Sequence, residues 1–182
     1  VHIGPISIGM HFNPYGESLV SNKNKIRLEM ADSDPRHDQL FSLTWTLAIF
    51  IQSINKESKF FTFNSIYGHH GILNKDNTKR PLYHLNNFLI SLTNSEIFKF
   101  NPVNEVYGLK IVLNDKKYYL FVNSSKQKKE IIIPEINFSN QYKLNLKNYT
   151  DIFNNDFSFF NFKKDSNPYA FEPLEIKFIE DK

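Results

Sequence analysis

The chain has 182 residues, of which 22 are Lys or Arg and 19 are Asp or Glu, so its formal net charge is +3. Hydrophobic residues make up 41% of it and aromatic residues 15%, which is enough for an apolar core and excludes an intrinsically disordered chain. No stretch approaches the roughly 20 apolar residues of a membrane span, and no basic stripe with interleaved aromatic residues indicates nucleic-acid binding. The absence of cysteine excludes disulfides and thiol catalysis but leaves the cellular compartment open.

The first part of the chain has the pattern of a strand, a polar loop and a buried helix. The short apolar run over residues 1–8 is typical of a strand buried on both faces, as in a parallel sheet covered by helices. A polar and aromatic segment, residues 11–16, follows the strand. Pro35 then opens a helix that Ser33 or Asp34 can cap, and its apolar residues continue nearly all round it to Ile54, which indicates burial.

The same order is repeated once. Phe60–Phe63 is a short aromatic strand, and residues 64–80 form a long polar loop, a kind of loop that tends to be functional in compact folds. Pro81 opens a second helix, in which leucines and a phenylalanine recur at helical spacing to Leu92. Two strand–loop–helix units in succession predict the end of a β/α barrel, whose site lies in the loops that follow its strands.

The remainder of the chain changes to short alternating strands separated by turns, which predicts an antiparallel β-sandwich. We expect strands at 106–113, 117–123, 129–134, 142–146, 157–163 and 174–179. Asn114-Asp115 and Asn123-Ser124-Ser125 have the residue types of hairpin turns between such strands. The predicted fold class is therefore α/β plus all-β, with a barrel portion over residues 1–95 and a sandwich over residues 96–182. A complete barrel needs roughly 200 residues or more. We therefore expect the last two βα units of a (β/α)8 barrel, and a start at Val1 that is an internal cut or, alternatively, a processed terminus.

Several short motifs over residues 1–93 occur in one order and spacing. They are Phe12-Asn13-Pro14, Asp34-Pro35-Arg36, Leu40-Phe41 followed by Trp45-Thr46-Leu47, Gly68 to Gly71, and Pro81-Leu82-Tyr83-His84. Together they resemble the C-terminal part of the D-apionate lactonase family. This resemblance implies a glycosidase-like β/α barrel followed by a β-sandwich, in a hydrolase that acts on a branched-sugar lactone. It also implies two departures, since the family has Arg at the position of His11 and an acidic residue where this chain has Asn64-Ser65.

Two histidines are the candidate catalytic residues. A lactone hydrolase needs a carboxylate or histidine to activate water and a donor to stabilise the oxyanion. His11 follows the first strand and His70 lies in the loop after the second. Either side chain could do acid–base work or contact a sugar hydroxyl, and the alternative for His11 is a partly exposed loop residue. The fragment alone is expected to be inactive, because the earlier strands would supply the remaining catalytic groups.

The candidate substrate-binding residues lie in the same loops. They are Asn13, Tyr15, Arg36, Ser65, Tyr67 and His69. Asn13 could bind a sugar or simply form a turn with Pro14, and Arg36 could pair with Asp34 unless that carboxylate only caps the helix. We expect no cofactor and no metal site, since the adjacent His69 and His70 would rarely point at one ion.

We expect the partners to be a small sugar or sugar lactone and the missing N-terminal barrel portion of the same protein. Neither a nucleic acid nor a membrane is expected. Two other functions stay open at this point. One is a retaining glycosidase, which needs two carboxylates roughly 5 Å apart, and the other is a noncatalytic carbohydrate-binding or structural module. An exposed aromatic platform would favour binding, and a sandwich face covered by helices would favour a structural role.

Overall fold

The structure is a computed structural model that describes residues 1–6, 8, 24, 34–58, 60–68, 70–132, 136, 138–150, 163–164, 167 and 169–181. Within these residues the chain forms two α-helices and ten strands. The helices are α1 (Leu40–Ser53) and α2 (Pro81–Ser91). The strands are β1 (His2–Ile6), β2 (Phe60–Phe63), β3 (Glu96–Lys99), β4 (Val106–Leu113), β5 (Lys116–Asn123), β6 (Lys129–Glu130), β7 (Phe138–Leu144), β8 (Lys163–Lys164), β9 (Ala170–Phe171) and β10 (Glu175–Asp181). Most of the predicted strand at 157–163 lies outside the described residues.

The strands β1 and β2 form a two-stranded parallel sheet, which confirms the predicted parallel pairing of the two strands. The register shifts between Ile3 and Ile6, where β1 contains one residue more than β2. Gly4 lies in this irregular segment with φ of +130°, and a Cβ there would come within 2.2 Å of the Thr62 carbonyl oxygen. A glycine is therefore required for the close approach of the two strands.

The first helical segment differs from the single helix predicted from Pro35. Residues Pro35–Asp38 form a 3-10 helix capped by the Asp34 side chain, and α1 begins only at Leu40. The prediction was wrong at this point because Gln39 has an extended backbone (φ −116°, ψ 165°) and separates the two helices. The buried character of α1 agrees with its apolar sequence. Neither described α-helix has the length and apolar character needed to cross a lipid bilayer.

The second half of the chain forms a six-stranded antiparallel sheet with the order β3-β4-β5-β10-β7-β8. The predicted hairpin turn at Asn114 and Asp115 is confirmed, since both residues have positive φ (50° and 63°) between β4 and β5. Asn123 also starts a turn, in which its side-chain oxygen accepts from the Ser125 N–H at 3.0 Å. This turn makes no hairpin, because β6 pairs with β9 in a separate two-stranded sheet.

Side chains of the six-stranded sheet alternate between two apolar clusters. Leu120 and Val122 of β5 belong to a core that includes α1 and α2, and this core joins the two halves of the chain. Tyr119 and Phe121 belong to a second cluster on the opposite face, together with Phe171 of β9. This sheet is therefore covered on both faces, by the helices on one side and by the β6–β9 sheet on the other.

Candidate active site

The candidate active site lies at the carboxyl ends of β1 and β2, which parallel pairing brings to one edge of the sheet. The candidates His11, Asn13 and Tyr15, which follow β1 in the sequence, lie outside the described residues, as does His69. The described part of the site consists of residues 34–39 and of the β2–α2 loop, which is residues 64–80 apart from position 69.

Backbone and side-chain hydrogen bonds give the β2–α2 loop a defined shape. The N–H of Ile72 donates to the Ser65 carbonyl at 3.0 Å, so the loop folds back on its own beginning. The Ser65 hydroxyl donates to the Tyr67 carbonyl at 2.8 Å, and the Tyr67 hydroxyl donates to Asn77 Oδ1 at 2.9 Å. Both predicted substrate-binding side chains of this loop, Ser65 and Tyr67, are exposed. A ligand can therefore bind them by replacing these two exposed hydrogen bonds.

The β2–α2 loop is fastened to the 3-10 helix through the carbonyl of Gly71. His37 Nε2 lies 2.9 Å from that oxygen and Arg80 Nη1 lies 3.4 Å from it, so the carbonyl accepts from both side chains. Arg80 also pairs with Asp38 of the 3-10 helix, with Nε 3.4 Å from Oδ1. These contacts therefore fix the position of the 3-10 helix relative to the middle of the β2–α2 loop.

His37 and His70 form a pair of rings inside this junction. Their centroids are 6.2 Å apart and the rings are nearly perpendicular, at 85°. His37 is only 1% exposed, and its Nδ1, like that of His70, is buried with no hydrogen-bond partner among the described residues. The Gly71 carbonyl requires the proton of neutral His37 to be on Nε2, which leaves Nδ1 as an acceptor.

Burial is the main reason that the pKa of His37 lies below its ordinary value of 6.5. The hydrogen bond to Gly71 opposes this shift, whereas the nearby positive charge of Arg80 adds to it. His37 is therefore kept neutral in the folded protein at neutral pH. A neutral ring at this position suits a residue that holds the loop, while the predicted catalytic role belongs to its neighbour His70.

Arg36 is held by the residue that caps the 3-10 helix. Its Nε lies 2.9 Å and 3.1 Å from the two carboxylate oxygens of Asp34, and its guanidinium stacks over Phe41 at 5.4 Å. The bond from Arg36 lowers the pKa of the Asp34 carboxyl below its ordinary value. Asp34 thus both caps the helix and pairs with Arg36, so the two alternatives for it occur together. The Arg36 side chain is still 50% exposed and can reach a ligand with its outer N–H groups.

Two polar residues at this site were not selected from the sequence. His37 had no distinguishing signal, because a single histidine in the first turn of a helix is usually exposed. Asn64 could have been selected, since it directly follows a strand of a parallel sheet, where functional side chains concentrate. Both carboxamide atoms of Asn64 are buried without a hydrogen-bond partner in the described part of the chain.

The described residues contain no group of three or more His, Asp or Glu side chains that could hold a metal ion. The side chains that meet here are those of His37, His70 and Arg80, and His37 Nε2 and Arg80 Nη1 both contact the Gly71 carbonyl. What this part of the site offers chemically is an imidazole base, hydroxyl groups and neutral amides.

Parallel strands that lead into polar loops and then into buried helices define the class of the β/α barrels. The chain belongs to the D-apionate lactonase family: the model of the TIM barrel domain of that family matches residues 1–94. The match ends just before β3, so it covers both parallel strands and both α-helices.

A curated relative is the D-apionate lactonase of Brucella anthropi, which is 34% identical over 87 residues. The alignment covers 44% of this chain and only 14% of that protein. Similar solved structures are a GH30 endoxylanase from Clostridium papyrosolvens and the family 30 xylanase Xyn30A from Clostridium acetobutylicum, at 9% and 12% identity. Each aligns with 85% of this chain and with 40% or 41% of the other chain, at a TM-score of 0.48.

Proposed function

We propose that this chain is the C-terminal part of a carbohydrate-active hydrolase that opens a sugar lactone. The observation that supports the proposal most strongly is the parallel pairing of β1 and β2 within the region that matches the family's TIM barrel domain. The substrate class is taken from the Brucella anthropi relative, whose name is D-apionate lactonase. The activity belongs to the whole protein, since the matched segment is a small share of that relative.

The proposed architecture is the last two βα units of a (β/α)8 barrel over residues 1–95, followed by an antiparallel sandwich over residues 96–182. The barrel portion is supported by the order β1, α1, β2, α2 and by the parallel register of β1 and β2. The sandwich is supported by the six-stranded sheet, with the β6–β9 sheet against one of its faces. The other face of the six-stranded sheet is covered by α1 and α2, which favours a structural role for the sandwich over a carbohydrate-binding one.

Opening a lactone requires water to attack the ester carbonyl while a base removes a proton from that water. The ring oxygen then leaves and takes up a proton, and the product is a hydroxy acid. We assign His70 to the acid–base role, because its Nδ1 is buried and uncommitted among the described residues. His11 shares that role in the proposal, and Asn13, Tyr15, Arg36, Ser65, Tyr67 and His69 contact the sugar. No cofactor or metal enters this scheme.

A retaining glycosidase is the less favoured function. Its mechanism needs a nucleophilic carboxylate on a barrel strand close to the acid. In this chain Asn64 and Ser65 follow β2, and neither side chain can serve as that carboxylate.

The test is a pH-stat assay of the whole protein that contains this chain, with sugar lactones as substrates, since each turnover releases one acid proton. The His70→Ala variant should lose at least tenfold in kcat/KM. The matched control is His2→Ala, at the opposite end of β1, which should retain full turnover. Absence of lactone hydrolysis in the unmodified protein, or equal activity of both variants, would contradict the proposal.

A further inference from the structure

We infer that Asn64 binds a neutral hydroxyl group of the substrate at the carboxyl end of β2. The inference rests on the proposed function, because it adds a specificity contact to the same site. It starts from a side chain that has no hydrogen-bond partner in the described part of the chain.

The position of Asn64 follows from the sheet. Its backbone N–H donates to the Ile6 carbonyl at 3.3 Å, so it extends the parallel ladder one residue beyond β2. Phe61 and Phe63 contact Phe50 of α1, with ring centroids 5.0 Å and 5.9 Å away. Since side chains alternate along a strand, Asn64 lies on the other face, which is the interior face of a barrel.

The carboxamide of Asn64 is buried in the structure. Neither Oδ1 nor Nδ2 is accessible to solvent, and neither has a hydrogen-bond partner within the described residues. Buried polar groups in native proteins are nearly always paired, because an unpaired one has lost its bonds to water and gained nothing in return. A group left in this state at the end of a barrel strand is therefore expected to find its partner in a ligand.

The chemistry of the amide restricts that ligand. A carboxamide has one acceptor oxygen and a two-proton donor nitrogen, and it carries no charge. It is complementary to a hydroxyl group, which donates and accepts at once, and sugar lactones carry several such groups. Because the amide is neutral and not a nucleophile, its contribution is to bind and orient the sugar while other groups do the chemistry.

The experiment replaces Asn64 with Leu, a residue of similar size without polar atoms, in the whole protein. We expect the thermal midpoint without ligand to stay equal or rise, since an unpaired buried amide is removed. We expect KM for the lactone to rise by about tenfold with little change in kcat, because a hydroxyl contact is made equally in the ground state and the transition state. Asn64→Ala removes the same atoms without a branched side chain and should give the same change in KM.

The matched control is Asn86→Leu in α2, where Oδ1 is also buried with no partner among the described residues. Asn86 lines a cleft with Phe50 and Leu89 to which Asn64 does not contribute, so its variant should keep the KM of the unmodified protein. If KM stays within twofold for both Asn64 variants, or rises as much for Asn86→Leu, the inference is wrong.

A second readout separates this inference from the proposed function. The shift in thermal midpoint on adding D-ribonolactone or D-gluconolactone measures binding without turnover. A shift in the unmodified protein that Asn64→Leu abolishes would support the contact even if no lactone were hydrolysed. A shift of equal size in Asn64→Leu would overturn the contact even in an active lactonase.

Discussion

The two sheets of this chain differ in how completely the chain covers them. The six-stranded sheet has α1 and α2 against one face and the β6–β9 sheet against the other, and Leu120 and Val122 are fully buried in it. Within the described residues, the two-stranded parallel sheet has helices against one face only. On its other face Phe60 is 67% exposed. The same chain thus contains one closed sheet and one open sheet.

The difference shows which apolar side chains the described residues of this chain bury and which they leave exposed. Burying a large apolar side chain contributes about 1.5–3 kcal/mol, and the closed sheet gains this on both faces. Several large apolar residues are left exposed around the open sheet and its helices: Val1, Phe60, Ile66, Tyr67 and Ile90. We therefore expect the isolated chain to associate with itself, which sedimentation would detect.

The largest effect is expected from a charge inside the closed sheet. Lys177 is fully buried, with Nζ 3.5 Å from the equally buried Glu175 and 4.9 Å from the Phe171 ring, and it donates to the Asn167 carbonyl. Lys177→Met leaves the Glu175 carboxylate without this cation. We expect the free energy of unfolding to fall by about 3–5 kcal/mol in urea titrations, because an uncompensated buried charge is strongly destabilising.

The control for this prediction is the surface pair Lys128 and Glu172, with 2.8 Å between the charged atoms. Lys128→Met should change stability little, since exposed ion pairs contribute little. Adding Glu175→Gln to Lys177→Met should recover part of the loss. Equal losses for Lys128→Met and Lys177→Met would mean that the closed sheet does not depend on its buried pair.

A somewhat smaller effect is expected in the open sheet at Gly4. Gly4→Ala adds a Cβ within 2.2 Å of the Thr62 carbonyl oxygen at φ +130°, so β1 and β2 must move apart. We expect a loss of about 2–4 kcal/mol by thermal or urea unfolding. Gly68→Ala is the matched control, because φ is also positive there but no atom lies within 4 Å of the added Cβ, and it should cost about 1–2 kcal/mol. Equal costs would mean that the close approach of β1 and β2 is not required.

A pH-dependent effect is expected at the junction between the loops. Burial lowers the pKa of His37 in the folded state below the ordinary value of 6.5 that holds in the unfolded chain. Below pH 6.5 the unfolded state therefore binds more protons, and this contribution to stability falls until the pH passes the folded-state pKa. His37→Asn should flatten that part of the stability profile between pH 8 and pH 5. An unchanged profile in His37→Asn would contradict the account.

Sequence periodicity was sufficient for most of the elements. The strand at Phe60–Phe63, the helix opened by Pro81 and the hairpin turn at Asn114 occur where the pattern predicted them, because local residue preferences and burial favour the same structure there. The pattern failed at Gln39, whose extended backbone divides the predicted helix. It also missed β3 and β9, a four-residue and a two-residue strand, of which β9 pairs with the sequence-distant β6.

The candidate site was less accessible to prediction. The order of the loops predicted a location for it, and Ser65, Tyr67 and His70 stay predicted members. It did not give the role of His37, since the bond to Gly71 joins residues 34 positions apart in sequence. The unpaired amide of Asn64 is likewise visible only once the burial of its atoms is known.

The central claim is that the open face of the parallel sheet is the interior of a barrel completed by other parts of the protein. The most direct measurement is the effect of Phe60→Asp on the free energy of unfolding, in this chain alone and in the whole protein. We predict a change within about 0.5 kcal/mol in the chain alone, where Phe60 is mostly exposed, and a loss of several kcal/mol in the whole protein, where the carboxylate would be buried. Effects of the same small size in both proteins would contradict the claim.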